Sequence, residues 1–103
     1  MVWAFLRQSL VDVVNLGTGW AARLPGIDVA GKTGTAQLIA NSRSDKGQDH
    51  AWFASFAPAR DPQYVVVVLV ERGGKGGQVA APIARQIYNA IFLERVALAA
   101  GAD

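Results

Sequence analysis

Along the first sixteen positions, apolar residues recur every three or four: Trp3, Phe5, Leu6, Leu10, Val13 and Val14 fall near one stripe. That period predicts a helix over residues 1–16. Asn15-Leu16-Gly17-Thr18-Gly19 supplies its stop, because glycine takes positive φ beyond a last turn without steric cost. Residues 17–28, with Gly17, Gly19, Pro25 and Gly26, read as a loop. The period then falls to two. Residues 29–40 predict a first strand, with Thr33 and Thr35 on one side and glycines at 31 and 34. Residues 41–49 are wholly polar or glycine and read as a flexible connection. Residues 50–58 predict a second strand, with Trp52, Ala54 and Phe56 facing one way and Phe53, Ser55 and Ala57 the other. Ala59-Arg60-Asp61-Pro62 is a tight turn. Residues 63–71 predict a third strand, whose unbroken apolar run from Tyr64 to Val70 calls for cover on both faces. After the glycine-rich break at 72–77, a long helix is expected from 79 to about 100. Pro82 lies in its first turn, Ile83, Ile87, Tyr88, Ile91 and Phe92 form its apolar stripe, and Gly101 ends it.

The expected fold class is α+β: an antiparallel three-strand meander flanked by an N-terminal and a C-terminal helix. One helix covers one sheet face, so the other face of the third strand depends on the first helix reaching it. The third strand also has a free edge, a hazard unless another strand pairs with it. These features predict a part of a larger domain that does not fold as an isolated monomer.

Composition sharpens that expectation. Of 103 residues, 51% are hydrophobic, rich for a chain that can bury only about two-thirds of its unfolded surface. The formal charge is +2, and the basic residues are scattered from Arg7 to Arg95 without a cluster, which speaks against a nucleic-acid partner. There are no cysteines and a single histidine, His50, so thiolate and His-rich metal sites are excluded. The longest apolar run, Val65 to Val70, falls far short of the ~20 residues of a membrane helix, and the first residues lack signal-peptide form. Neither an export signal nor an anchor is expected in this chain.

Lys32-Thr33-Gly34-Thr35 is the candidate chemistry. Lys32 brings a positive charge to a strand. Thr33 and Thr35 project to one side and both can donate hydrogen bonds. Gly34 leaves room for another backbone to lie against the strand. The Thr35 amide is a candidate donor to a developing oxyanion. The set suits a peptide with a terminal carboxylate, docked by strand addition. A plain edge strand with solvent-facing Lys and Thr is the alternative.

In context, Ala30-Gly-Lys-Thr-Gly-Thr-Ala-Gln37 resembles the Lys-Thr-Gly signature of the penicillin-binding protein and serine β-lactamase superfamily. His50-Ala-Trp-Phe-Ala-Ser-Phe-Ala-Pro58, the turn, and Tyr64-Val-Val-Val-Val-Leu-Val-Glu71 resemble the last two sheet strands of its transpeptidases, and Ala80-Ala-Pro-Ile-Ala-Arg-Gln-Ile-Tyr88 their C-terminal helix. Val11-Asp-Val-Val-Asn15 and Gly17-Thr-Gly19 are similar to the helix and loop before the signature. The resemblance covers about residues 5–95, and it is nearest to class B enzymes of the penicillin-binding protein 2 group.

It implies the C-terminal part of a transpeptidase domain over residues 1–103. It also implies a parent that is a peptidoglycan D,D-transpeptidase, acting without cofactor or metal on D-Ala–D-Ala stem peptides and acylated by β-lactams. The parent would work with the cell-elongation machinery. It would sit in the inner membrane through an N-terminal anchor outside this chain, with this domain in the periplasm. Lys32 would join the catalytic charge and hydrogen-bond network. Lys32, Thr33, Gly34 and Thr35 would bind substrate, with the hydroxyls on its carboxylate, and Gln37 would line the cleft. The family's other signatures are missing. None of Ser9, Ser42, Ser44 and Ser55 has lysine three residues on or asparagine two residues on. The chain alone is therefore expected to be inactive. A β-lactamase or D,D-carboxypeptidase of the same fold, and a non-catalytic carboxylate-binding module, are the competing expectations. Ser44-Asp45-Lys46 reads as a solvated loop, His50 as structural, Trp52, Phe53 and Phe56 as core, and the 72–77 break as a hinge without P-loop spacing.

Overall fold

The computed structural model describes residues 2–36 and 49–93. Helix α1 (Val2–Leu16) leads through one 3-10 turn (Trp20–Ala22) into strand β1 (Ala30–Ala36). Strands β2 (His50–Ala57) and β3 (Tyr64–Val70) follow, then helix α2 (Gly76–Tyr88), which runs into a π turn (Asn89–Leu93). Helix, meander and helix are in the expected order, an α+β fold. The end of the first predicted strand with Gln37, most of the polar connection, and the predicted helix beyond residue 93 lie outside the described residues.

The sheet order is β1-β2-β3, antiparallel throughout. Lys32 pairs with Ala54 and Thr33 with Phe53, and on the other side of β2 Phe53 pairs with Val68 and Ser55 with Val66. Because cross-strand partners share a face, Thr33, Thr35, Phe53, Ser55, Val66 and Val68 look toward α2. Lys32, Trp52, Ala54, Phe56, Val65, Val67 and Leu69 look away from it.

The core lies under α2. Phe53, Tyr88, Val14 and Val29 are its largest fully buried side chains. Each such burial contributes about 1.5–3 kcal/mol. The helix face that docks is Ala80, Ala81, Ala84 and Tyr88, whereas Ile83 and Ile87 are 36% and 39% exposed. The expected isoleucine stripe is thus the flank of the contact: small alanines let the backbone of α2 settle close to the sheet. The Ser55 hydroxyl donates to the Val66 carbonyl at 2.9 Å, so the Tyr88 hydroxyl, 2.8 Å away, is the donor to Ser55. That chain satisfies the buried polar atoms of the interface.

The opposite face is covered only in part. Val11 of α1 packs with Ala30 and Ala59, flanked by Leu10 and Phe56. The helix reaches no further across the sheet. Val65, Val67 and Leu69 are 74%, 66% and 61% exposed, while Val66 and Val68 on the α2 side are buried. Strand β3 is therefore covered on one face, not two.

The last helix begins at Gly76, three residues before the sequence reading, and Pro82 falls in its second turn. Glycines weaken a helix start by propensity. Tertiary packing overrides that here, because the first turn of α2 abuts β1 and β2.

Candidate functional site

Strand β1 is a sheet edge, and its alternation sends the candidate residues to different sides. Thr33 and Thr35 open into a cleft of about 460 Å³ at the α2 end of the strand. Its walls are Thr18 and Trp20 from the loop after α1, and Lys75 and Gln78 from the start of α2. Thr18 Oγ1 and Thr33 Oγ1 are 2.9 Å apart, so a second hydroxyl stands beside the predicted one. Lys32 lies on the other side of the sheet, exposed, in an apolar groove with Leu10, Ala54, Phe56 and Val65. Its Nζ donates to the Thr33 carbonyl at 3.0 Å. The structure brings the two threonines together and directs the lysine to the uncovered face.

Gly34 separates those two sides. A Cβ at Gly34 would run into the indole of Trp52, which fills that space on the uncovered face. The glycine is required by a ring of this chain, whereas the sequence had suggested room for a substrate backbone. Trp52 is half-buried there, its cross-strand partner being Gly34 itself.

The start of α2 closes the cleft. A Cβ on Gly76 would strike the carbonyls of Trp52 and Gly34, and one on Gly77 the carbonyl of Thr18. Only residues without side chains let the helix terminus come this near the strand. Lys75 is the N-cap, it makes no side-chain cap bond, and no acidic residue stands in the first turn. The amides of Gln78 and Val79 turn back to the Lys75 carbonyl at 3.1 and 3.0 Å. The positive end of the helix and the Lys75 ammonium thus border three hydroxyls. Such a setting favours an anion.

Thr18, Trp20, Lys75 and Gln78 were not singled out from the sequence. Thr18 sits between two glycines just past a helix end, and Lys75 between two glycine pairs, which is the only mark either carries. His50 has a structural partner: its Nδ1 accepts the Arg72 N–H at 3.0 Å, tying the start of β2 to the turn after β3. Among the described residues, no group of three or more His, Cys, Asp and Glu could hold a metal, and no helix is long and apolar enough to cross a membrane.

An α+β unit with a Lys-Thr-Gly edge strand and a hydroxyl-lined cleft defines the class, and comparison with known proteins agrees. The model of the penicillin binding protein transpeptidase domain matches residues 2–89, and the chain belongs to that family. It is 37% identical over 102 residues to the peptidoglycan D,D-transpeptidase MrdA of Acinetobacter baumannii, covering 90% of this chain and 15% of that protein. The transpeptidase PbpA of Mycolicibacterium smegmatis is 43% identical over 76 residues, 69% of this chain and 15% of its own length. The transpeptidase domain of Burkholderia pseudomallei penicillin-binding protein 3 superposes with a TM-score of 0.73 at 33% identity, over 85% of this chain and 28% of that one. A ceftriaxone acyl-enzyme of penicillin-binding protein A from M. tuberculosis gives 0.72 at 35% identity, over 84% of this chain and 20% of that one. The chain spans about 15–16% of the length of the MrdA relatives it matches.

Proposed function

We propose that this chain is the carboxylate-recognising part of a peptidoglycan D,D-transpeptidase domain, whose nucleophile comes from a portion of the domain outside residues 1–103. The observation that carries the proposal is the cleft, where the hydroxyls of Thr33, Thr35 and Thr18 meet the positive end of α2. A donor stem peptide ending in D-Ala–D-Ala lays its terminal carboxylate on those hydroxyls and its backbone along the free edge of β1. The serine oxygen attacks the penultimate D-Ala carbonyl. The carbonyl oxygen gains charge, for which the Thr35 amide is one donor. Collapse of that intermediate expels the terminal D-Ala as its amine, which takes up a proton, and leaves a serine ester. An amine of a neighbouring strand then attacks the ester and restores the serine. A β-lactam enters by the same carboxylate contact and stops at the ester.

Lys32 acts from the other side of the strand. The uncovered face that carries it is the face onto which the nucleophile-bearing portion docks, and its ammonium joins the proton-transfer network there. The relatives named above are D,D-transpeptidases, which favours this reading over a β-lactamase, a carboxypeptidase or a passive binding module. We propose further that the parent works in the periplasm, anchored in the inner membrane, together with the cell-elongation machinery.

Fluorescent penicillin tests this. The 103-residue chain alone acquires no serine-dependent label. Joined to the nucleophile-bearing portion of the Acinetobacter relative, it is labelled. Lys32→Ala then lowers the labelling rate about 10- to 100-fold, the size of one hydrogen bond to a charged group. A serine-dependent band on the chain alone, or equal labelling of the Lys32→Ala protein, contradicts the proposal.

A further inference from the structure

Trp20 is 57% exposed, yet its position is fixed. The Gly19 amide donates to the Val13 carbonyl at 2.9 Å and the Trp20 amide to Gly17 at 3.1 Å, which anchors the 3-10 turn to the end of α1. The Arg23 guanidinium lies 4.6 Å from the centroid of the indole. Such cation–π stacking holds the ring plane and occupies one of its faces. What remains of the ring contributes to the wall of the threonine cleft.

The chemistry of that cleft is uneven. Thr33 and Thr35 bring hydroxyls to its lining, and Lys75 and Gln78 bring polar groups to its α2 side. On the loop side, Trp20 is the one large apolar side chain among the lining residues, and the small Ala21 lines the cleft as well. A carboxylate held by Thr33 and Thr35 fixes the carbon that bears it one bond away. The substituent on that carbon must lie toward one wall or the other. An apolar substituent loses nothing against the indole, whereas against the ammonium and the helix terminus it strips water from charged and polar groups.

We infer that Trp20 is a specificity-determining residue: it reads the side group on the carboxylate-bearing carbon of the donor and favours a small apolar group such as the methyl of a terminal D-Ala. The inference rests on the proposed carboxylate site and adds to it the substrate feature that the hydroxyls cannot distinguish. Arg23 acts through the ring as a positioning residue, holding its plane.

The test compares two peptides that differ by that methyl, diacetyl-L-Lys-D-Ala-D-Ala and diacetyl-L-Lys-D-Ala-Gly. Each is titrated into the joined protein, its nucleophilic serine replaced by alanine so that binding is read without turnover, while the backbone amides of Thr33 and Thr35 and the Trp20 indole N–H are followed by NMR. The D-Ala peptide binds about fourfold more tightly, the worth of one buried methyl group. Trp20→Ala brings that ratio to about one, and Trp20→Phe, which keeps an aromatic wall, retains most of it. Thr33→Val weakens both peptides equally. A ratio unchanged by Trp20→Ala, with Thr33→Val still weakening both, overturns this inference and leaves the carboxylate site standing. Binding of both peptides unaffected by Thr33→Val overturns the site itself. No shift of any of the three signals with either peptide overturns both.

Discussion

Tyr88 and Ser55 meet between α2 and the sheet, a polar pair buried in the core that also holds Phe53 and the α2 alanines. Burial pushes the Tyr88 hydroxyl above its ordinary pKa, against the lowering effect of its hydrogen bonds to Ser55 and Val66. The folded state therefore favours the neutral phenol. Its contribution to stability is fully present below the unfolded pKa, about 10, and is lost as pH rises through the higher folded value. Tyr88→Phe should lower stability near neutral pH by about 0.5–1.5 kcal/mol, one hydrogen bond, and should flatten the loss above pH about 10. Denaturant melts of the joined protein with and without the substitution, on either side of that pH, check it; an equal alkaline loss in both would assign the effect elsewhere. Neither residue stood out as a pair in the sequence. They lie 33 positions apart, and Ser55 read only as one inward position of an alternating strand.

Strand β2 was legible in its extent and its two faces, but not in which face is the core: Phe53 is fully buried, whereas Trp52 and Phe56, also read as core, are half-buried on the face away from α2. The meander was legible from short links. Helix α2 was harder. Its docking face is alanine and its first turn is glycine, residues that carry almost no periodic signal, while its isoleucines catch the eye and sit at the rim. The close approach that makes those small residues necessary is a tertiary fact. Gly76 is its sharpest point, pressed against the backbone carbonyls of Trp52 and Gly34. An added methyl there meets backbone that cannot rotate away. Gly76→Ala is expected to destabilise by about 1–3 kcal/mol, the usual cost of overpacking, despite alanine's better helix propensity. A lower denaturation midpoint checks this, and a midpoint raised by the substitution would show that the α2 terminus has room to shift.

At the scale of the whole molecule, the sheet separates two environments. On one side α2 and the loop after α1 complete a cleft around the hydroxyls of Thr33 and Thr35. On the other, Lys32 shares with Val65, Val67 and Leu69 a face that α1 covers only in part, leaving those three β3 side chains exposed. The Lys-Thr-Gly run was legible as an edge strand carrying a charge and two hydroxyls from its residue types. The division of labour was not: Thr18 reaches Thr33 from 15 positions away, and Lys75 arrives from beyond β3. The central claim is that the hydroxyl cleft, and not the lysine side, takes the donor carboxylate. It is tested most directly in the joined protein, by the acylation rates of a penicillin and of its carboxyl methyl ester. The free acid should react about 10- to 100-fold faster, and Thr33→Val with Thr35→Val should bring that ratio close to one. A ratio that survives the loss of both hydroxyls would contradict the account.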